Sequence, residues 1–177
     1  MRKATLKRIV QFVIKNVDKK EKQLRIGLAG LGNVGAGVYK NLEKNQSLLC
    51  ERIGTELVVK KVAVRDLSRK RDVAVPSDKL TTDWKELIDD PEIDIIVELI
   101  GGVDEAHELI VAALNANKAV VTGNKAVLAE KGKELIELSE KQNSPLYCEA
   151  AVAGGIPIIK AVKEALIGNR ITSIFGI

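Results

Sequence analysis

Three stretches of this chain hold residues whose types and spacing could do chemistry. The first is Gly30-Leu31-Gly32-Asn33-Val34-Gly35, a Gly-x-Gly-x-x-Gly pattern directly after the apolar run Leu24 to Ala29. Gly30 permits a tight turn, Gly32 lets a ligand approach the backbone, and Gly35 lets a helix pack on the preceding strand. A helix starting there offers unpaired N–H groups and the positive end of its dipole, which suits the diphosphate of a dinucleotide. The competing reading is a glycine-rich turn with no ligand.

The second stretch is Ala63-Val64-Arg65-Asp66, followed by Arg69, Lys70 and Arg71. An acidic residue at this strand end would bind the adenosine ribose 2′-hydroxyl and select NAD. Arg65 instead offers a planar fork suited to a 2′-phosphate, so NADP is favoured. Asp66 keeps NAD open, because a one-residue shift would bring its carboxylate to the ribose. Lys70 and Arg71 read as a solvated loop.

The third comprises three strand ends that should face a substrate: Gly101-Gly102, Thr122-Gly123-Asn124-Lys125, and Glu149 with the loop through Pro157. In open α/β sheets, ligands sit beyond the carboxyl ends of the strands. At Gly101 the backbone can approach a nicotinamide ring. Lys125 opens a helix, where the dipole disfavours a cation. Positive potential promotes release of its proton, so Lys125 is the candidate for proton exchange near neutral pH. The competing reading is a lysine reaching into solvent. His107, the only histidine, reads as a surface or helix-end residue.

These residues need rigid elements behind them. Apolar runs predict strands at Leu24–Ala29, Leu57–Val64, Ile93–Ile100, Ala119–Thr122 and Leu146–Ala150, with a last strand over Ile171–Ile177. Between them, helical spacing predicts helices over Val34–Lys44, around Trp84–Ile88 with Asp83 as N-cap, and over Asp104–Asn117, Asn124–Gln142 and Ile156–Ile167. Alternating strands and helices imply a Rossmann-type α/β fold: a doubly wound, mostly parallel sheet with helices on both faces. Residues 24–177 make that domain. Residues 1–23 stand apart as an amphipathic helix and a Lys-rich linker, with Leu6, Ile9, Val10, Val13, Ile14 and Val17 on one face. That helix would dock on its own domain or on a partner copy; a membrane-surface helix and an order-poor tail are the alternatives.

Composition narrows the classes. The 177 residues are 46 % apolar and 29 % charged, ordinary for a soluble globular protein, but only 3 % aromatic. The core must therefore be aliphatic. The net charge of +4 sits largely in the amino-terminal segment. With so few aromatic platforms, nucleic-acid binding is not expected. No apolar run is long enough for a membrane span. Cys50 and Cys148 form no disulfide framework, and a cytoplasmic protein is expected.

The segment from Leu24 to Ile177 resembles the N-terminal nucleotide-binding domain of homoserine dehydrogenase. The resemblance rests on the glycine turn, Val64-Arg65-Asp66, Glu98-Leu99-Ile100-Gly101-Gly102, Thr122-Gly123-Asn124-Lys125 and Glu149 to Ile159. It implies interconversion of L-homoserine and L-aspartate 4-semialdehyde with NAD or NADP, on the route to threonine and methionine. It further implies that Leu31, Asn33 and Val34 line the pyrophosphate with their backbones and that Arg65 takes the 2′-phosphate. Lys125 would lie beside the nicotinamide, where it could move the proton or hold the substrate and polarise its carbonyl. A monovalent cation, usually sodium, would bind Glu149, Val152, Gly154 and Ile156, mostly through backbone oxygens. From the residues alone, Glu149 could equally pair with a lysine.

In the family, the strand at Gly176-Ile177 continues into a substrate-binding and dimerising region that supplies a second lysine. A homodimer is therefore expected of the full-length protein, and cofactor binding without turnover of this chain. The alternatives are a dinucleotide-sensing module without chemistry, or a related dehydrogenase acting on another amino acid or semialdehyde.

Overall fold

The computed structural model describes residues 23–175. The expected amino-terminal helix and most of its linker lie outside the described residues. The first strand, β1 (Gln23–Ala29), alternates between exposed or half-buried and buried residues up to Ile26 and is buried throughout from there to Ala29. Leu24, Ile26 and Leu28 enter one core cluster, while Ala29 enters the other. Both faces of the strand are thus buried, as a central parallel strand requires.

Six strands form one sheet in the order β3-β2-β1-β4-β5-β6, and every pairing is parallel. The remaining strands are β2 (Glu56–Ala63), β3 (Leu80–Thr81), β4 (Ile95–Glu98), β5 (Ala119–Thr122) and β6 (Leu146–Tyr147). Helices α1 (Asn33–Lys44) and α2 (Gln46–Ile53) cover one face, with Tyr39, Leu42, Leu49 and Ile53 packed on the strands. Helices α3 (Lys85–Asp89), α4 (Asp104–Asn115) and α5 (Lys125–Lys141) cover the other, through Leu87, Leu109, Ile110, Leu114, Val127 and Leu135. The chain order reverses between β1 and β4. That switch point opens a crevice at the carboxyl ends of the strands.

The structure departs from the sequence expectations in several places. The strand β3 and the helix α2 are additional to the expected elements. The pairing of β1 with β2 slips between Ile26 and Gly27. This bulge lets Val59 and Val62 enter the same core cluster although an odd interval separates them. The strand expected over Leu146–Ala150 stops at Tyr147, and a 3₁₀ turn, Glu149–Ala151, follows. The helix expected over Ile156–Ile167 is one turn at Ile158–Lys160 passing into a π-type turn at Ala161–Ala165. Neither segment has a buried residue to anchor a longer helix. The last strand is not formed over its described part, residues 171–175. Ile174 and Phe175 are 74 % and 92 % exposed there, and among the described residues no strand pairs with them. The N-cap of α3 is Trp84 rather than the expected Asp83, one residue later, although Asp83 Oδ1 still accepts from the Lys85 N–H at 2.9 Å.

Candidate functional site

The glycine turn connects β1 to α1 at the switch point. Gly30 has φ +96°, and a Cβ there would lie 2.4 Å from the Leu99 carbonyl oxygen. A Cβ on Gly35 would lie 2.1 Å from the Gly30 carbonyl oxygen. Any side chain at either position would force the backbone apart. Gly32 is different, because a Cβ there would meet nothing within 4 Å. Its role is to leave the surface open. As the N-cap of α1, Gly32 provides no side-chain hydrogen bond, and the first turn has no acidic residue. The leading N–H groups of α1 therefore face the crevice with their donors available, which fits a pyrophosphate.

Beside the turn, the crevice is lined by Val64, Arg65, Asp66, Leu99 and Ile100. Arg65 is exposed, and its Nη2 donates to the Ile100 carbonyl at 3.3 Å, a long bond easily exchanged for a phosphate oxygen. The Asp66 carboxylate turns back into its own loop. Its Oδ1 accepts from the Ser68 hydroxyl at 2.7 Å and the Ser68 N–H at 2.8 Å. Those bonds hold its carboxyl below the usual aspartate range. Of the two residues at the strand end, Arg65 is the freer to meet a ligand. Arg71 departs from the expected solvated loop. It is half-buried and donates back to the carbonyls of Arg69 and Asp66. A short loop with few backbone bonds needs such a clasp. Lys70 is exposed, as expected.

The ends of the parallel neighbours β4 and β5 lie at the same carboxyl edge of the sheet. Gly101 and Gly102 are exposed and have φ +74° and +75°, with nothing within 4 Å of a Cβ. Two successive left-handed residues leave the backbone there open. Lys125 is the first residue of α5 and is exposed. Asn124 before it is the N-cap, its Oδ1 accepting from Ala126 N at 3.1 Å and Val127 N at 3.2 Å. Among the described residues, none pairs with the Lys125 ammonium. Behind these loops lies Glu98, 0 % exposed. Its oxygens accept from the Ile100 N–H at 2.9 Å and the Thr122 hydroxyl at 2.5 Å. Sequence reading assigned Glu98 no role. The available signal was a carboxylate in the carboxyl half of the apolar run Ile93 to Ile100, which otherwise has only Asp94 as a charge.

The loop expected to bind a cation is folded as follows. The Glu149 oxygens accept from Ile159 N at 3.0 Å and Lys160 N at 3.1 Å, capping the short terminal helix. The Glu149 carbonyl accepts from Val152 N at 3.3 Å, and the Ile156 carbonyl accepts from Ile158 N at 2.8 Å. Ala153 and Gly154 have φ +55° and +56°, a sharp reversal. The described residues contain no cluster of three or more His, Cys, Asp or Glu; a site of backbone carbonyls would need none. His107 contacts Glu134 at 3.1 Å, joining α4 to α5 away from the glycine turn.

The strand order and the open glycine turn define a class: Rossmann-type domains that bind dinucleotides at the switch point. The comparisons narrow it. The sequence model described as the NAD-binding domain of homoserine dehydrogenase matches residues 30–149, and the chain belongs to that family. It is 44 % identical to the homoserine dehydrogenase of Bacillus subtilis over 156 residues, covering 88 % of this chain and 36 % of that protein. The Synechocystis enzyme is 45 % identical over 154 residues, covering 87 % of this chain and 35 % of its own. The crystal structure of homoserine dehydrogenase from Thiobacillus denitrificans superposes with a TM-score of 0.78 at 44 % identity, over 84 % of this chain and 34 % of that one. A hyperthermophilic archaeal homoserine dehydrogenase, solved with NADPH, gives 0.66 at 26 % identity, over 82 % of this chain and 50 % of that one. This chain thus spans about a third of the length of the Bacillus and Synechocystis relatives, 36 % and 35 %. A nicotinamide dinucleotide is the cofactor of this domain. No helix among the described residues is long and apolar enough to cross a membrane.

Proposed function

We propose that this chain is the cofactor-binding part of a cytoplasmic, dimeric enzyme that interconverts L-homoserine and L-aspartate 4-semialdehyde, with NADP preferred. The observation that carries the reading is the uncapped amino end of α1 beside the lightly held Arg65 guanidinium. The N–H groups around Leu31, Gly32, Asn33, Val34 and Gly35 hold the pyrophosphate, with Gly30 keeping the turn tight. Arg65 takes the 2′-phosphate through its planar fork. The backbone at Gly101 admits the nicotinamide ring. When bound, that ring supplies or accepts the hydride exchanged with C4 of the semialdehyde.

Lys125 meets the reacting oxygen, where it moves the proton or holds and polarises the carbonyl. Its exposure and lack of an internal partner leave the ammonium available for that contact. The reading extends to a sodium-like cation on the loop after β6. There Val152 and Gly154 would contribute carbonyl oxygens alongside Glu149. The Ile156 carbonyl would have to share its existing bond with Ile158.

Calorimetric titration of wild type and Arg65→Ala with NADP and NAD tests the assignment. NADP affinity should fall about 10- to 100-fold, the loss of a charge-assisted phosphate contact, with NAD changed less than about twofold. Equal losses for both, or none, would show that Arg65 does not read the 2′-phosphate.

A further inference from the structure

We propose that Glu98 is a positioning residue that locks the two nicotinamide-facing loops together without touching cofactor or substrate. The inference rests on the cofactor reading above and concerns one end of the same crevice. Glu98 is 0 % exposed, so a ligand in the crevice cannot reach its carboxylate. A buried carboxylate is costly unless its oxygens are bonded. Among the described residues, no lysine or arginine forms an ion pair with it. Its stabilisation comes instead from neutral donors, and those donors belong to the two loops.

The connections close a ring. Ile100 N donates to Glu98 Oε1 at 2.9 Å, fixing the backbone just before Gly101 and Gly102. Thr122 Oγ1 donates to Glu98 Oε2 and accepts from Asn124 N at 3.0 Å. Asn124 Nδ2 donates to the Gly102 carbonyl at 2.7 Å. Asn124 Oδ1 caps Ala126 N and Val127 N, the amides that follow Lys125. Glu98 and Thr122 are direct register partners on β4 and β5. One carboxylate therefore joins the double-glycine loop to the start of α5.

A pair of apolar residues in register would fill the same space without burying a carboxylate. What the polar ring adds is a single geometry for its members. The phosphate turn is held by other means: Gly30 N donates to the Ala63 carbonyl at 2.9 Å, and Leu99 N donates to the Ala29 carbonyl at 2.8 Å. The adenosine half of the cofactor should therefore be indifferent to Glu98, and the nicotinamide half should not.

The test is titration of wild type, Glu98→Gln and Thr122→Val with NADPH and with 2′-phospho-ADP-ribose, which lacks the nicotinamide. In Glu98→Gln, NADPH should bind about tenfold more weakly, the effect of losing a buried bond to a carboxylate, while 2′-phospho-ADP-ribose should change less than about twofold. Thr122→Val keeps the side-chain volume and removes one link. It should show the same selective loss, and it carries the test if Glu98→Gln does not fold. Amide exchange at Ala126 and Val127 should quicken in both variants. Equal loss of the two ligands, or no loss of either in a folded variant, would overturn the assignment. Failure of wild type to bind either ligand would instead overturn the cofactor reading on which it rests.

Discussion

At the amino end of the sheet, Lys60 pairs with Asp90 at 2.7 Å and also with Glu92, and Lys118 donates to the carbonyls of Asp90 and Ile93 at 2.7 and 2.6 Å. At the carboxyl end, Lys125 has no partner among the described residues, and Arg65 makes one 3.3 Å bond. Both ends carry cations of similar kind. At one end internal acceptors engage them, and they contribute to stability. At the other they stay available, where two helix amino ends and the open strand ends converge. That second arrangement adds little to folding and becomes useful only when an anionic ligand supplies the missing acceptors.

The contrast predicts that substitutions at the carboxyl end damage binding, while those at the amino end damage stability. The largest effect should come from Gly35→Ala. Its Cβ would stand 2.1 Å from the Gly30 carbonyl oxygen, so the phosphate turn must move. NADPH affinity should drop on the order of 100-fold, equivalent to about 3 kcal/mol of overpacking strain transferred to the site. Titration calorimetry reads this directly. Near-wild-type affinity would show that the turn is not the phosphate cradle.

Lys118→Met should do the opposite. Burial lowers the Lys118 pKa, so its charge is not held without cost, yet its two acceptor carbonyls would lose their partner. Unfolding free energy from denaturant titration should fall by about 1–3 kcal/mol, with NADPH affinity unchanged within about twofold. A parallel fall in affinity would mean that the two ends are not separable.

The smallest effect is a pH dependence. Burial acts to raise the Asp90 pKa, but bonds from Lys60 and the Glu92 amide, with the charges of Lys60 and Lys118, outweigh it and hold the carboxyl below its ordinary 3.8. The Lys60 hydrogen bond likewise lowers Glu92 from 4.5. Carboxyls lowered in the folded state contribute stability above their unfolded pKa and lose it as pH falls through the folded value. Lys60→Met should therefore be less stable than wild type near pH 7, and the difference should shrink as pH falls below the ordinary 4.5 and 3.8 of the two carboxyls and through their lowered folded values. A difference that persists in acid would assign the effect to lost packing of the lysine stem instead.

The glycine turn, Arg65 and the helix opening at Lys125 were legible in the chain because each depends on near neighbours. A tight turn, a strand end and a helix start are set within a few residues. The apolar runs of β1, β4 and β5 were legible for the same reason. Short elements were not: β3 is two residues long, and the helix after Pro157 has no buried face to reveal its length. The bulge beside Lys60 also escaped, because a pairing slip is a property of two strands.

What local order could not convey were partnerships across the sheet. Asp66 and Arg65 are adjacent and both polar. Only the folded loop shows the carboxylate committed to Ser68 and the guanidinium held by a single 3.3 Å bond to the Ile100 carbonyl. By sequence Arg71 is one more solvated cation, but in the fold its donors return to the Asp66 and Arg69 carbonyls. Glu98 stands 24 residues from Thr122, and register alone brings them together. Spacing along the chain establishes that a dinucleotide can be cradled. Strand pairing decides which polar groups the protein satisfies internally and which remain for the cofactor, because hydrogen bonds between strands depend on distances in space.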